Sequence, residues 1–383
     1  MKPKASTGFT RRLLTTAAAV IGLAPVAFAQ APQTFFVLNN PNDTMFNQLL
    51  GINNGNVIVG YLGDGNLVHN NGYVLVPTNH YSIENFTNVA GCTAPPEMLF
   101  PPLPCPTQTQ AIGINNATGL AGQTPFPDIV GFYTDAVGAT HGFVDSFSAP
   151  ATDGGPAVGV QSTIDDPMGV KGVNGIQTTV QNLLGINNSL RAVGFWTDAA
   201  GNENGFLAEI NTTVTPVAAR YIEFPPAKVN NDLALTGNNA AIATQTSGIN
   251  NNNTVCGFYT DRNGINHGFE VVFNTRNHTF NRTLPLIPNA NQIPNVKSLS
   301  PLGCNDPGRV VGFFTANDNT VHGFVFDGAD WHQYDAAGSV QTPALGNVMG
   351  TTINGVNNAG AIVGFFADAM GNVNGFVDFA PVP

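Results

Sequence analysis

Apolar residues along this chain come in short β-branched and aromatic bursts, such as Ile129-Val130-Gly131-Phe132-Tyr133, punctuated by Asn, Gly, Asp and Pro. Aligned on itself, the chain holds six copies of one pattern, roughly GINNxxxIVGFYTDxxGxxHGFV. The first element recurs at Gly51-Ile52-Asn53-Asn54, Gly113-Ile114-Asn115-Asn116, Gly185-Ile186-Asn187-Asn188 and Gly248-Ile249-Asn250-Asn251, then degenerately at Gly303-Cys304-Asn305-Asp306 and Gly355-Val356-Asn357-Asn358. A Gly followed by an aromatic residue comes 9 positions later in five copies, at Gly60, Gly194, Gly257, Gly312 and Gly364, and 18 later in the second, at Gly131. A further Gly-aromatic pair follows after 11 positions, or 12 in the first copy, at Gly72, Gly142, Gly205, Gly268, Gly323 and Gly375. Fixed spacing with variable residues between is what tight hairpins require, because a one-residue slip turns every side chain to the other face. Asn-Asn and Asp-x-x-Gly supply turn positions, and the bursts between them suit strands. Each copy therefore reads as strand A ending at GINN, strand B at IVGFYTD and strand C at HGFV. A variable strand D follows, at Tyr81–Glu84, Ser162–Asp165, Tyr221–Phe224 and His332–Asp335, and is less clear after the fourth copy.

Four antiparallel strands per repeat of 52 to 72 residues make the unit of a β-propeller blade, with the excess length in loops between D and the next A. The predicted fold is all-β: a propeller-like ring of about six four-stranded blades in one repeat domain, residues 30–383. The segment Thr34–Leu38 reads as the D-like strand that completes the sixth copy and closes the ring. The alternative architecture is an open stack or two smaller β domains.

Taken together, the GINN, VGFYTD and HGF units resemble the HAF family of probable extracellular repeats, bacterial exported proteins built from arrays of this motif. The resemblance spans nearly all of residues 30–383. It implies an exported, repeat-built β protein and carries no catalytic residues onto this chain. Ala316 stands where other copies have Asp, and Asn204 and Asn374 where others have His.

Composition adds a compartment. Residues 1–29 combine Lys2, Lys4, Arg11 and Arg12 with the apolar run Leu13–Ala29 and a small-x-small end at Ala27-Phe28-Ala29, which reads as a secretory signal. Thr10–Leu14 partly matches a twin-arginine signal, and Sec export is an equal reading. Cleavage there leaves 9 Lys plus Arg against 24 Asp plus Glu, a net charge of −15. So acidic a chain, without basic clusters, is unsuited to nucleic acid. No later apolar run reaches the roughly 18 residues of a membrane span. The expected product is a secreted or periplasmic monomer whose partner is an extracellular carbohydrate or protein. Cys92 and Cys105 flank a Pro-rich insertion, and a disulfide between them is worth about 3 kcal/mol in an oxidising compartment. Cys256 and Cys304 replace Val and Ile of other copies and read as core thiols.

The chain has no GxSxG, HExxH, P-loop or dinucleotide fingerprint and no zinc spacing, so neither cofactor nor metal is expected. Asp135, Asp198, Asp261 and Asp368 recur before the B–C turn, and His141, His267 and His322 sit in register at strand C. One reading is a ring of polar ligand-binding groups at one end of the propeller. The other is that each Asp bonds the backbone of its own turn. Trp331, beside Asp327-Gly328, is a further candidate for stacking on a sugar, whereas Trp196 fills a core slot. Asp165-Asp166 reads as a solvated strand end, since neighbours on a strand face opposite ways. Because variation concentrates in the loops, the favoured function is non-catalytic binding or structure. The alternative is a polysaccharide hydrolase or lyase drawing its acids from Glu97, Glu203, Glu209 or Glu223.

Overall fold

The computed structural model describes residues 34–41, 43–63, 70–76, 86–88, 108–116, 127–134, 139–148, 158–168, 181–198, 201–214, 217–340 and 350–381. Cys92, Cys105, Glu97, Asp135 and residues 1–29, read above as a signal, lie outside them.

Within the described residues each repeat folds into one antiparallel sheet in the order A-B-C-D. Blade 1 holds β2 (Asn47–Ile52), β3 (Ile58–Leu62), β4 (Asn71–Leu75) and β5 (Phe86–Asn88). Blade 2 holds β6 (Gln108–Ile114), β7 (Asp128–Thr134), β8 (Thr140–Ser148) and β9 (Val158–Thr163), and blade 3 holds β10 (Gln181–Ile186), β11 (Arg191–Thr197), β12 (Glu203–Asn211) and β13 (Ala218–Phe224). In blade 4, β14 (Ala241–Ile249), β15 (Thr254–Asp261) and β16 (Asn266–Asn274) are followed by a D strand split into β17 (Thr279–Phe280) and β18 (Leu284–Pro285). Blade 5 is β19 (Val296–Cys304), β20 (Val310–Ala316), β21 (Val321–Phe326) and β22 (Trp331–Tyr334). Blade 6 is β23 (Thr351–Val356), β24 (Ile362–Ala367) and β25 (Val373–Asp378), and its fourth strand is β1 (Phe35–Val37), which pairs antiparallel with β25. The chain is a six-bladed β-propeller closed by its N-terminal strand, as the repeat pattern predicts.

The core is divided among the seams between blades. One cluster joins Val363 and Val377 of blade 6 to Leu49 and Tyr73 of blade 1, another joins Val130 and Val144 of blade 2 to Leu183 and Phe206 of blade 3, and a third joins Val311 and Val325 of blade 5 to Ile353 and Phe376 of blade 6. The aromatic residue of strand C is fully buried in every blade: Tyr73, Phe143, Phe206, Phe269, Phe324 and Phe376. A single four-stranded sheet has no interior of its own, so each blade hides its faces against its neighbours.

At the axis the six A strands come together, and the GINN glycine is what lets them. A Cβ on Gly303 would lie 2.6 Å from the Asn354 carbonyl, and one on Gly113 would lie 2.8 Å from Cα of Gly185. Just before this glycine every A–B pair carries a bulge, from Leu49/Gly51 through Ile353/Gly355, which re-aims the strand end toward the axis.

Strand D differs from the sequence reading in two blades: in blade 1 the described strand is Phe86–Asn88, the expected Tyr81–Glu84 lying outside the described residues, and in blade 2 it is Val158–Thr163 where the sequence reading has Ser162–Asp165. Residues 226–233, expected as loop, form helix α1 (Pro226–Leu233). Pro226 fixes the first turn, Ala234 ends the helix in a left-handed conformation, and Val229 is buried in the seam between blades 3 and 4.

Candidate binding site

The two ends of the ring are chemically distinct. At the end bearing the A–B turns, the first Asn of GINN does two jobs. Its Oδ1 accepts from its own turn: Asn250 takes the backbone N–H of Asn252 at 3.0 Å and of Thr254 at 2.9 Å. Its Nδ2 donates to the backbone carbonyl of the equivalent Asn in the next blade. The sequence runs Asn53 to Asn115, Asn115 to Asn187, Asn187 to Asn250, Asn250 to Asn305, Asn305 to Asn357, and Asn357 back to Asn53, at 2.8–3.4 Å. A second circuit uses the following residue, whose backbone N–H donates to the side-chain Oδ1 of its counterpart one blade on, from Asn54 to Asn116 and round to Asn358 to Asn54, at 2.7–3.0 Å. Asp306 holds one of these positions. Burial acts to raise its pKa, but side-chain donation from Asn251 and Asn358 outweighs this and holds the carboxyl below the usual range. The axial space these residues enclose is about 60 Å³, room for a few waters and no more. This end is a fastening.

The opposite end carries the B–C turns and D–A connections, and with them the residues singled out from the sequence. The turn carboxylates bond the backbone of their own turns: Asp198 accepts from Asn202 at 2.9 Å, Asp261 from Asn263 at 2.8 Å and Ile265 at 3.0 Å, and Asp368 from Met370 and Asn372 at 2.9 Å. In Asp261 and Asp368, burial works to raise the pKa, but the hydrogen bonds received prevail and lower it. The imidazoles stack on strand B of their own blades, His141 on Tyr133, His267 on Tyr259 and His322 on Phe314. Their acidic partners differ: His141 meets Asp165 at 2.6 Å, His322 meets Asp335 at 2.9 Å, and His267 meets Asp261 at 3.2 Å. The structure thus distributes these groups blade by blade and does not gather them at one point. Trp331 is only 6% exposed, stacked on Phe326 with ring centroids 4.6 Å apart.

His267 is the exception in what lies beside it. Between blades 4 and 5 a cleft of about 540 Å³ opens, lined by Asn266 and His267 on one side, Lys297 and Asn317 on the other, and Ile287 and Pro288 from the segment after the split D strand. Ile287 is 73% exposed and Leu284 beside it 58%. The cleft is walled by the segment that follows the split fourth strand of blade 4. The connection from β18 to β19 leaves β16 after the Leu286 N–H bonds the Gly268 carbonyl at 2.9 Å, and Asn266 is tied to Ser298 and Ser300 of blade 5, at 3.0 Å each. Its volume and mixed lining suit a small organic ligand.

A second cluster sits between blades 2 and 3. Asp165 bonds His141, so the pair Asp165-Asp166 does face two ways, but Asp166 is 1% exposed, which corrects the expectation of a solvated strand end. Its backbone N–H and carbonyl are clasped by the Gln181 amide at 2.6 and 2.9 Å. Burial, then the neighbouring Asp166, push Glu223 up to about 7, although Trp196 Nε1 donates to it at 2.9 Å. Burial likewise raises Asp166. The other proposed acids are engaged elsewhere: Glu209 with Arg191 at 3.1 Å and His278 at 2.7 Å, and Glu203 with Gln245 at 2.6 Å. Cys256 is fully buried and Cys304 half-buried, its Sγ 3.6 Å from the Thr254 carbonyl; both are free thiols. Burial, then the Cys304 thiol, push the Cys256 thiol well up. Among the described residues there is no cluster of three or more His, Cys, Asp or Glu side chains placed to hold a metal ion, and no helix long and apolar enough to cross a membrane.

No protein-family model and no curated protein matches the chain. Among solved structures it is similar to a Trypanosoma rangeli sialidase in complex with sialic acid, with a TM-score of 0.44 and 8% identity. That similarity covers 91% of this chain and 57% of the sialidase chain, so this protein spans little more than half of that one's length.

Proposed function

We propose that this chain is an exported, non-catalytic binding protein of the HAF repeat type, and that it takes an extracellular carbohydrate or protein ligand in the cleft between blades 4 and 5. The observation that carries the reading is the cleft itself, a concave space of about 540 Å³ beside the one described blade whose D strand is split. The remaining turn carboxylates and imidazoles are occupied within their own blades, which supports a scaffold role for the repeated residues and a binding role for the irregular segment. Glycan and peptide arrays probed with the wild-type chain and with Ala290→Trp, which fills the cleft from an exposed turn, test it. Array signal lost in the variant at an unchanged unfolding midpoint is expected; signal that survives the substitution, or none in the wild type, sinks the reading.

A second reading, hydrolysis of an extracellular polysaccharide, is favoured by Glu223, a carboxyl poised near neutrality beside a second carboxyl. Turnover of a glycan panel that vanishes in Glu223→Gln would favour it over binding.

A further inference from the structure

We infer that the group the ligand places in the cleft between blades 4 and 5 is a carboxylate on an apolar body, as at the C-terminus of a protein or peptide. This rests on the binding reading above and adds the ligand's chemistry. The chain is strongly acidic, with 24 Asp plus Glu against 13 Lys plus Arg, yet no Asp or Glu lines this cleft, while Lys297 and His267 both do. Lys297 stands at the rim, its Nζ on Asn319 Oδ1 at 2.9 Å, an exposed contact that a better acceptor displaces at little cost. The nearby carboxylates are turned to other work. Asp261 lies behind the imidazole, accepting from its own turn and from His267, and Asp318 accepts from the backbone and hydroxyl of Thr320. Asn295 and Asn317 line the same space as neutral polar residues, while the Asn266 amide is held by Ser300 and Thr260. The opposite wall is aliphatic, from Leu286, Ile287 and Pro288, and contains no aromatic platform for a sugar face. In a chain whose net field repels anions, a lining free of acids with the Lys297 ammonium at its rim is complementary to one negative group, and the aliphatic wall to the carbon skeleton behind it.

The test is a matched pair of probes, 4-phenylbutyrate and its neutral amide 4-phenylbutanamide, titrated into the full chain at low ionic strength and followed by NMR. The carboxylate is expected to bind about fivefold or more tightly than the amide, with the preference shrinking as salt is added. Lys297→Gln is expected to abolish the preference at an unchanged unfolding midpoint. Equal binding of the two probes, or a preference that survives Lys297→Gln, overturns the carboxylate inference and leaves the cleft reading standing. Binding of neither probe overturns the inference, and the arrays with Ala290→Trp then decide the cleft reading by themselves.

Discussion

Glu223 and Asp166 share a setting that disfavours charge, and the consequence for stability has a definite sign. Both carboxyls are raised by burial, Glu223 to about 7. The folded chain therefore holds protons that the unfolded chain releases from about pH 4 upward. Their contribution is fully present below the unfolded values and is lost as pH rises toward 7. Glu223→Gln keeps an acceptor for Trp196 and removes the charge, so it is expected to be neutral near pH 4 and stabilising by about 1–2 kcal/mol at pH 8, after solvent screening of a partly exposed group. Urea unfolding of both proteins across pH 4–8 checks this, and a parallel pair of pH profiles would contradict it. None of this was legible in the sequence. Glu223 stood among four undistinguished acids, and Asp166 looked solvated because strand alternation says nothing about a residue just past the strand end, where the Gln181 amide of the next blade closes over it.

At the scale of the element, the GINN turn is where sequence and structure meet most closely, and also where most was missed. The motif's spacing correctly marks six strand ends, and the self-bonding role of its first Asn was readable from local chemistry. The two circuits between blades were not, because their partners lie 52 to 72 residues apart in the chain for successive blades and 304 across the closure. The only signal was that both Asn positions recur, where one suffices for a turn. Asn250→Ala strands two turn N–H groups and the Asn305 carbonyl, whereas Asn251→Ala strands one N–H at a more accessible site and removes one donor to Asp306, which keeps Asn358. The first is expected to cost about 2–4 kcal/mol and the second about 1 kcal/mol. Denaturant midpoints at unchanged slope measure both, and equal costs would contradict the assignment of two distinct roles. The split D strand of blade 4 was legible only as a weakness in the pattern after the fourth copy, because the cleft depends on where a loop goes, which turn chemistry does not dictate.

For the whole molecule, ring closure explains why sheets without individual cores are stable. Every seam is shared, and the seam between blades 6 and 1 is built like the others from Val363 and Val377 against Leu49 and Tyr73. β1 completes blade 6: Phe35 stacks on Phe376 at 5.6 Å in the seam with blade 5, Leu38 packs into the seam with blade 1, and the Leu38 N–H bonds the Gly375 carbonyl at 2.9 Å. Closure leaves the blade 4–5 cleft as a fixed indentation in a rigid ring, which is what the binding reading needs. Scanning calorimetry of the full chain and of a chain lacking residues 34–38 tests this most directly. The full ring is expected to melt in one cooperative transition, and the shortened chain to melt roughly 5–10 °C lower. An unchanged midpoint, or blades that melt in separate transitions, would contradict a ring held closed by its first strand.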